Sequence, residues 1–135
     1  MIKISLLISF LLVLISCEKH ITTDCDIEIP DGAQEASLTW IQDQVFTPYC
    51  VSCHGNSLAQ GGLNLAPGKA HSNLVGVAAS SSLLKRVDPQ FPENSYLLKR
   101  MEGSSSESIM PPSGKINQAL IDSVSAWIER GALDN

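Results

Sequence analysis

The chain has 135 residues, a formal charge of -5 and an isoelectric point near 5.0. An acidic surface of this kind excludes a nucleic-acid partner, whose phosphates demand a basic face. The length sets a limit of one small domain.

Lys3 forms a short basic start, and Ile4 to Ile15 is an almost unbroken apolar run that ends in Leu14-Ile15-Ser16-Cys17. A spanning helix needs roughly 20 apolar residues, so this run fits the core of a secretory signal instead. Leu-Ile-Ser-Cys resembles the bacterial lipobox, whose cysteine is acylated and becomes the mature N-terminus. Residues 1–16 are therefore expected to be a lipoprotein signal peptide, with Cys17 tied to a lipid bilayer by its acyl chains. Their removal takes Lys3 and no acid, which moves the charge from -5 to -6. Residues 17–36 carry Asp24, Asp26, Glu28, Asp31 and Glu35 around a Pro30-Asp31-Gly32 turn and read as an acidic tether. Cys25 and His20 lie in this tether, and neither is assigned a role.

Residues 37–135 are expected to fold as one all-α domain. Ser37 can cap a helix with Leu38, Ile41 and Val45 on one face, and Thr47-Pro48 reads as a second N-cap and first helical position. That restarted turn leads into Cys50-Val51-Ser52-Cys53-His54. The pattern C-x-x-C-H is the attachment signature of c-type haem, in which both thiols become thioethers and the histidine binds iron. Positions i, i+3 and i+4 share a helix face, so all three side chains can meet one macrocycle. A thioredoxin-like pair would need βαβ strands, which are missing from the pattern around Cys50. A zinc site would need two further ligands, and Cys17, Cys25, His20 and His71 are badly spaced for it. A Cys50–Cys53 disulfide would close too short a loop to constrain much of the chain.

The middle of the domain is loop-rich, with turns at Gly61-Gly62 and Pro67-Gly68 and a short helix opened by Pro92-Glu93-Asn94-Ser95 that turns Leu97, Leu98 and Met101 inward. No stretch alternates as a strand does. The last helix is capped by Asn117, carries Leu120, Ile121, Val124, Trp127 and Ile128 at core spacing, and stops at Gly131. Trp127 reads as packing, not as a redox relay. A covalent haem would act as a staple for so small a core.

Iron held by His54 has a sixth position to fill. Met110 lies in Met110-Pro111-Pro112-Ser113-Gly114, where two prolines stiffen the backbone and a glycine lets it approach something bulky. Met101 follows Leu97 and Leu98 at helical spacing and reads as core, while His71 sits in a polar segment and reads as a surface or loop histidine. The adjacent basic pairs Lys85-Arg86 and Lys99-Arg100 read first as solvated surface, and otherwise as a docking patch or a contact to haem propionates.

Together these residues resemble the monohaem c-type cytochromes of bacterial envelopes. The resemblance runs over most of residues 38–133, through Cys-x-x-Cys-His-Gly, Gly-Gly-Leu-Asn-Leu, Arg86-Val87-Asp88-Pro89, Asn94-Ser95-Tyr96-Leu97, Met-Pro-Pro-x-Gly and Trp127-Ile128-x-x-Gly131-Ala132. It implies N- and C-terminal helices packed around one covalent haem c. Cys50 and Cys53 would be the thioether anchors, His54 the proximal iron ligand and Met110 the distal one. The family also tends to use a proline carbonyl to accept the other ring proton of the proximal histidine, and Pro67 is the best-placed candidate.

With both axial positions filled, iron can change valence but cannot bind substrate. The expected function is electron transfer between donor and acceptor proteins of a bacterial cell envelope, on a lipid anchor facing the periplasm, and not enzymatic catalysis. Two alternatives stand beside it. One is a haem sensor or peroxidase-like subunit in which the serine-rich stretch from Gly103 to Ile109 lets Met110 leave. The other is a haem subunit fixed in a larger respiratory complex.

Overall fold

The computed structural model of the protein describes residues 36–135. The signal segment 1–16, the acylation site Cys17, the tether through residue 35, His20 and Cys25 all lie outside the described residues. Ala36, assigned above to the tether, is buried, and its carbonyl accepts a hydrogen bond from Arg130 Nη2 at 3.1 Å.

The described residues form helices joined by turns, with isolated β-bridges and no strand among them. No helix among them is long and apolar enough to cross a membrane. Helix α1 (Leu38–Ile41) starts where Ser37 Oγ accepts the Trp40 amide at 3.1 Å. Its two earliest free amides find partners at the far end of the chain. Leu38 N donates to Asn135 Oδ1 at 3.0 Å and Thr39 N to the Asn135 carbonyl at 2.9 Å, so four orphan donors of a helix start are largely satisfied.

Helical backbone then continues without the break expected at Thr47. A π-helical segment (Gln42–Phe46) leads directly into α2 (Thr47–Tyr49), and Thr47 has helical φ and ψ of -61° and -50°. Its amide reaches back five residues to the Gln42 carbonyl, and its hydroxyl accepts from Gln42 Nε2 at 3.1 Å instead of capping. Pro48 cannot donate and its ring would press on the carbonyl four residues back in a regular α-helix. The wider π turn immediately before it loosens that register and lets the helix pass the proline.

The remaining helices are α3 (Ala70–Leu74), α4 (Tyr96–Glu102) and α5 (Gln118–Glu129). Asn117 caps α5 through its side-chain oxygen, which accepts the Ala119 amide at 2.9 Å. The helix ends with Gly131 at φ 100°, from which Gly131 N and Ala132 N donate back to Ile128 and Trp127 carbonyls. The predicted short helix begins as a 3-10 turn (Pro92–Asn94) and becomes α4 only after Ser95. Ser95 is fully buried, and its hydroxyl accepts from Asp88 N at 2.9 Å and donates to the Phe91 carbonyl at 3.0 Å.

One core unites these elements. Ile41, Val45 and Phe46 from the first helical stretch pack with Ile121, Val124, Trp127 and Ile128 from α5, and Leu98 and Met101 join from α4. The pattern in α5 is a simple amphipathic stripe, and burial of such side chains is the main force holding the ends of the chain together. Trp127 also donates Nε1 to the Leu133 carbonyl at 2.9 Å, which folds the chain end back on the helix. Trp127→Ala removes both the buried ring and this bond. It is expected to lower unfolding free energy by about 3–5 kcal/mol, read as a shifted urea midpoint of the haem-loaded protein.

Candidate functional site

The motif Cys50–His54 stands just past the C-terminus of α2. Cys50 leaves helical geometry at φ -120°, yet its carbonyl accepts from Cys53 N at 3.1 Å and His54 N at 2.8 Å. These i+3 and i+4 bonds add one helix-like turn, so the expected shared face survives although the regular helix has ended. Gly55 allows the chain to leave. A β-carbon there would lie 2.5 Å from the Val51 carbonyl oxygen, closer than atoms of the backbone tolerate.

Cys50, Cys53 and His54 line one cavity of about 320 Å³ together with Met110, Pro111 and Pro112. Leu65, Leu74 and Met101 supply buried apolar lining, and Leu63, Leu97 and Ile116 extend it from partly buried positions. Arg86, Tyr96 and Arg100 reach the same cavity and are half-buried. The helices and loops thus assemble two thiols, an imidazole, a thioether, apolar side chains and two cations around a single space. That donor set fits a covalently attached haem: thiols for its vinyl groups, nitrogen and sulfur for iron, hydrocarbon for the ring and guanidinium for its carboxylates.

Both cysteines are unpaired. Burial first, and the neighbouring Cys53 second, push the Cys50 thiol up to about 12. The free side chain is thus a neutral thiol near pH 7. Among the described residues no group of three or more His, Cys, Asp or Glu side chains is placed to hold a metal ion.

His54 Nδ1 lies 2.9 Å from the carbonyl oxygen of Gln60. This differs from the expectation for Pro67, which is exposed and lines a separate cavity with Thr39 and His71. A 3-10 turn (Gln60–Gly62) doubles back on the motif and brings a carbonyl only six residues on to the ring. Gly61 and Gly62 make that turn possible at φ 65° and 67°. Arg86 then fastens it, donating Nη2 to the Gly61 and Gly62 carbonyls at 3.1 and 3.2 Å and Nη1 to the Asn73 carbonyl at 2.9 Å.

Met101 is buried in the core as its helical spacing predicts, although it also borders the cavity. Met110 is half-buried and its amide donates to the Arg100 carbonyl at 2.8 Å. His71 takes no part in this cavity. It sits half-buried in α3, not in a loop, and Nε2 lies 3.0 Å from the Ala132 carbonyl. The basic pairs divide by residue type. Lys85 pairs with Asp88 at 2.8 Å, whereas Arg86 and Arg100, both half-buried, bind carbonyls around the cavity.

Three side chains support these loops. Gln42, Arg86 and Arg100 all bind main-chain carbonyls of loops beside the cavity. Of these, only Gln42 is absent from the expectations above, although Leu38, Ile41, Gln42, Val45 and Phe46 complete an i, i+3, i+4, i+7, i+8 stripe in which one polar residue takes an inward position. Its Nε2 donates to the Leu65 carbonyl at 3.0 Å.

A family model described as Planctomycete cytochrome C matches residues 50–114, just under half of the chain. The matched stretch begins at the first cysteine of the motif and ends at the glycine after Met-Pro-Pro. It supports a cytochrome c-like domain, and with it haem c and a role in electron transfer. No curated protein and no solved structure matches the chain.

Gly55→Ala should force the turn between Val51 and His54 to open. The expected outcome is a loss of about 1–3 kcal/mol in unfolding free energy and a lower yield of covalently attached haem, checked by denaturation and by haem-stained gels of the matured protein.

Proposed function

We propose that the cytochrome c-like domain carries one covalent haem c on Cys50 and Cys53, with His54 and Met110 as axial ligands, and shuttles electrons between envelope proteins from a lipid anchor at Cys17. The observation that carries this is the convergence of Cys50, Cys53, His54 and Met110 on one cavity with apolar lining. A haem bound there supplies one-electron exchange between ferrous and ferric iron.

The chain's own residues bind, orient and shield. Gln60 accepts the Nδ1 proton of His54, which leaves the other ring nitrogen free as a donor and fixes the ring's orientation. Leu65, Leu74 and Met101 exclude water from the cavity, a setting that disfavours additional positive charge. The prolines after Met110 restrict the segment that presents its thioether. With His54 and Met110 both held on iron, no position would remain for substrate, in keeping with a carrier role and with the small interfaces of redox encounters.

The spectrum of the oxidised, matured protein tests this ligation. Wild type is expected to show the methionine-to-ferric-iron charge-transfer band and to resist carbon monoxide when reduced, and Met110→Ala to lose the band and bind carbon monoxide. Ready carbon monoxide binding by wild type would sink the carrier proposal, and loss of the band in Met101→Ala alone would move the ligand. Anchoring is tested separately by fractionation. Cys17→Ser is expected to move the protein from the membrane pellet to the soluble envelope fraction, with its spectrum unchanged.

A further inference from the structure

Arg100 holds the Met110 segment from two directions at once. Its carbonyl accepts the Met110 amide at 2.8 Å, and its Nε donates to the Ser108 carbonyl at 2.8 Å. The same guanidinium donates Nη1 to Tyr96 Oη at 3.2 Å and lies 5.5 Å from the centroid of the Tyr96 ring. Among the described residues Lys85–Asp88 is the one ion pair, so the Arg100 charge is met by a carbonyl, a hydroxyl and a ring face. These contacts bridge α4 to a serine-rich stretch that has no helix of its own between Gly103 and Met110.

We propose that Arg100 is a positioning residue for Met110: it clamps residues 108–110 so that the thioether is held at the cavity and is not displaced by competing ligands. The proposal rests on the assignment of Met110 as a ligand. Thioether is a weak donor, so its persistence on iron depends on how little freedom its backbone has when unbound. A charged donor on Ser108 and an acceptor on Met110, both from one residue of a buried-faced helix, supply that restriction. Tyr96 keeps the guanidinium from swinging away, because it stacks on one part and accepts from another. Lysine cannot reproduce the arrangement, since one ammonium has no second, rigidly spaced nitrogen to reach both Ser108 and Tyr96.

The test uses the haem-loaded protein as wild type, Arg100→Gln, Arg100→Lys and Met110→Ala. Imidazole is titrated into the ferric protein, the charge-transfer band is recorded, and amide hydrogen exchange is followed over residues 104–110 and over α5. Loss of hydrogen bonds from a charged donor is expected to raise imidazole affinity by roughly tenfold or more in Arg100→Gln. Arg100→Lys should also bind imidazole more tightly than wild type, and it carries the comparison if Arg100→Gln fails to mature. Exchange at Met110 should quicken in both Arg100 variants while α5 stays protected. Wild-type imidazole affinity and unchanged Met110 exchange would overturn the clamp and leave the ligand assignment standing. Parallel acceleration in α5 would also overturn it, because Arg100 would then act only on global stability. If Met110→Ala keeps the band and the imidazole affinity, the ligand assignment itself fails, and with it the proposal that rests on it.

Discussion

The hydrogen bond from His54 N to the Cys50 carbonyl, 2.8 Å long, is the constraint on which the remaining arrangement depends. It closes the turn that puts two thiols and an imidazole on one side of the chain, and it does so after the helix has ended. Two features make the closure possible. The π-helical segment carries the chain past Pro48, and Gly55 leaves room beside the Val51 carbonyl for the backbone to turn away. Gly55 directly follows the motif and the π-helical segment precedes it by one short helix, so the chemistry of the site is inseparable from these local backbone solutions.

A cavity at the centre of a small domain creates a second requirement. The loops around it do not pair in a sheet, so their carbonyls take other partners. Polar side chains meet this need: Gln42 takes the Leu65 carbonyl, Arg86 those of Gly61, Gly62 and Asn73, and Arg100 that of Ser108. No buried side-chain nitrogen or oxygen among the described residues is left without a partner. The result is a site in which each proposed iron ligand is backed by an arginine. Arg86 secures the turn whose Gln60 carbonyl faces His54, and Arg100 secures the segment that carries Met110.

Elements with strong local signals were legible in the sequence. The α5 stripe, its Asn117 cap and its Gly131 stop all follow from short-range rules, and they are present as expected. Met101 as core and the glycine turn at residues 61 and 62 were legible for the same reason. The break expected at Thr47-Pro48 is absent, because a change of helical register can absorb a proline and leaves no mark in residue type. The resemblance points to Pro67 as partner of His54, whereas Gln60 occupies the place because a carbonyl belongs to every residue and side-chain identity does not announce it.

Residue order and type alone determined the haem motif, the helical class, the core stripes and the candidate methionine, since each depends on spacing within a few residues. Tertiary structure decided which carbonyl meets the His54 ring, that Met110 reaches the same cavity as Cys50, and that Arg86 and Arg100 bind the loop carbonyls. The physical reason is common to all three. A loop's hydrogen bonds are made with partners brought close by folding, and nothing in the local sequence records their distance.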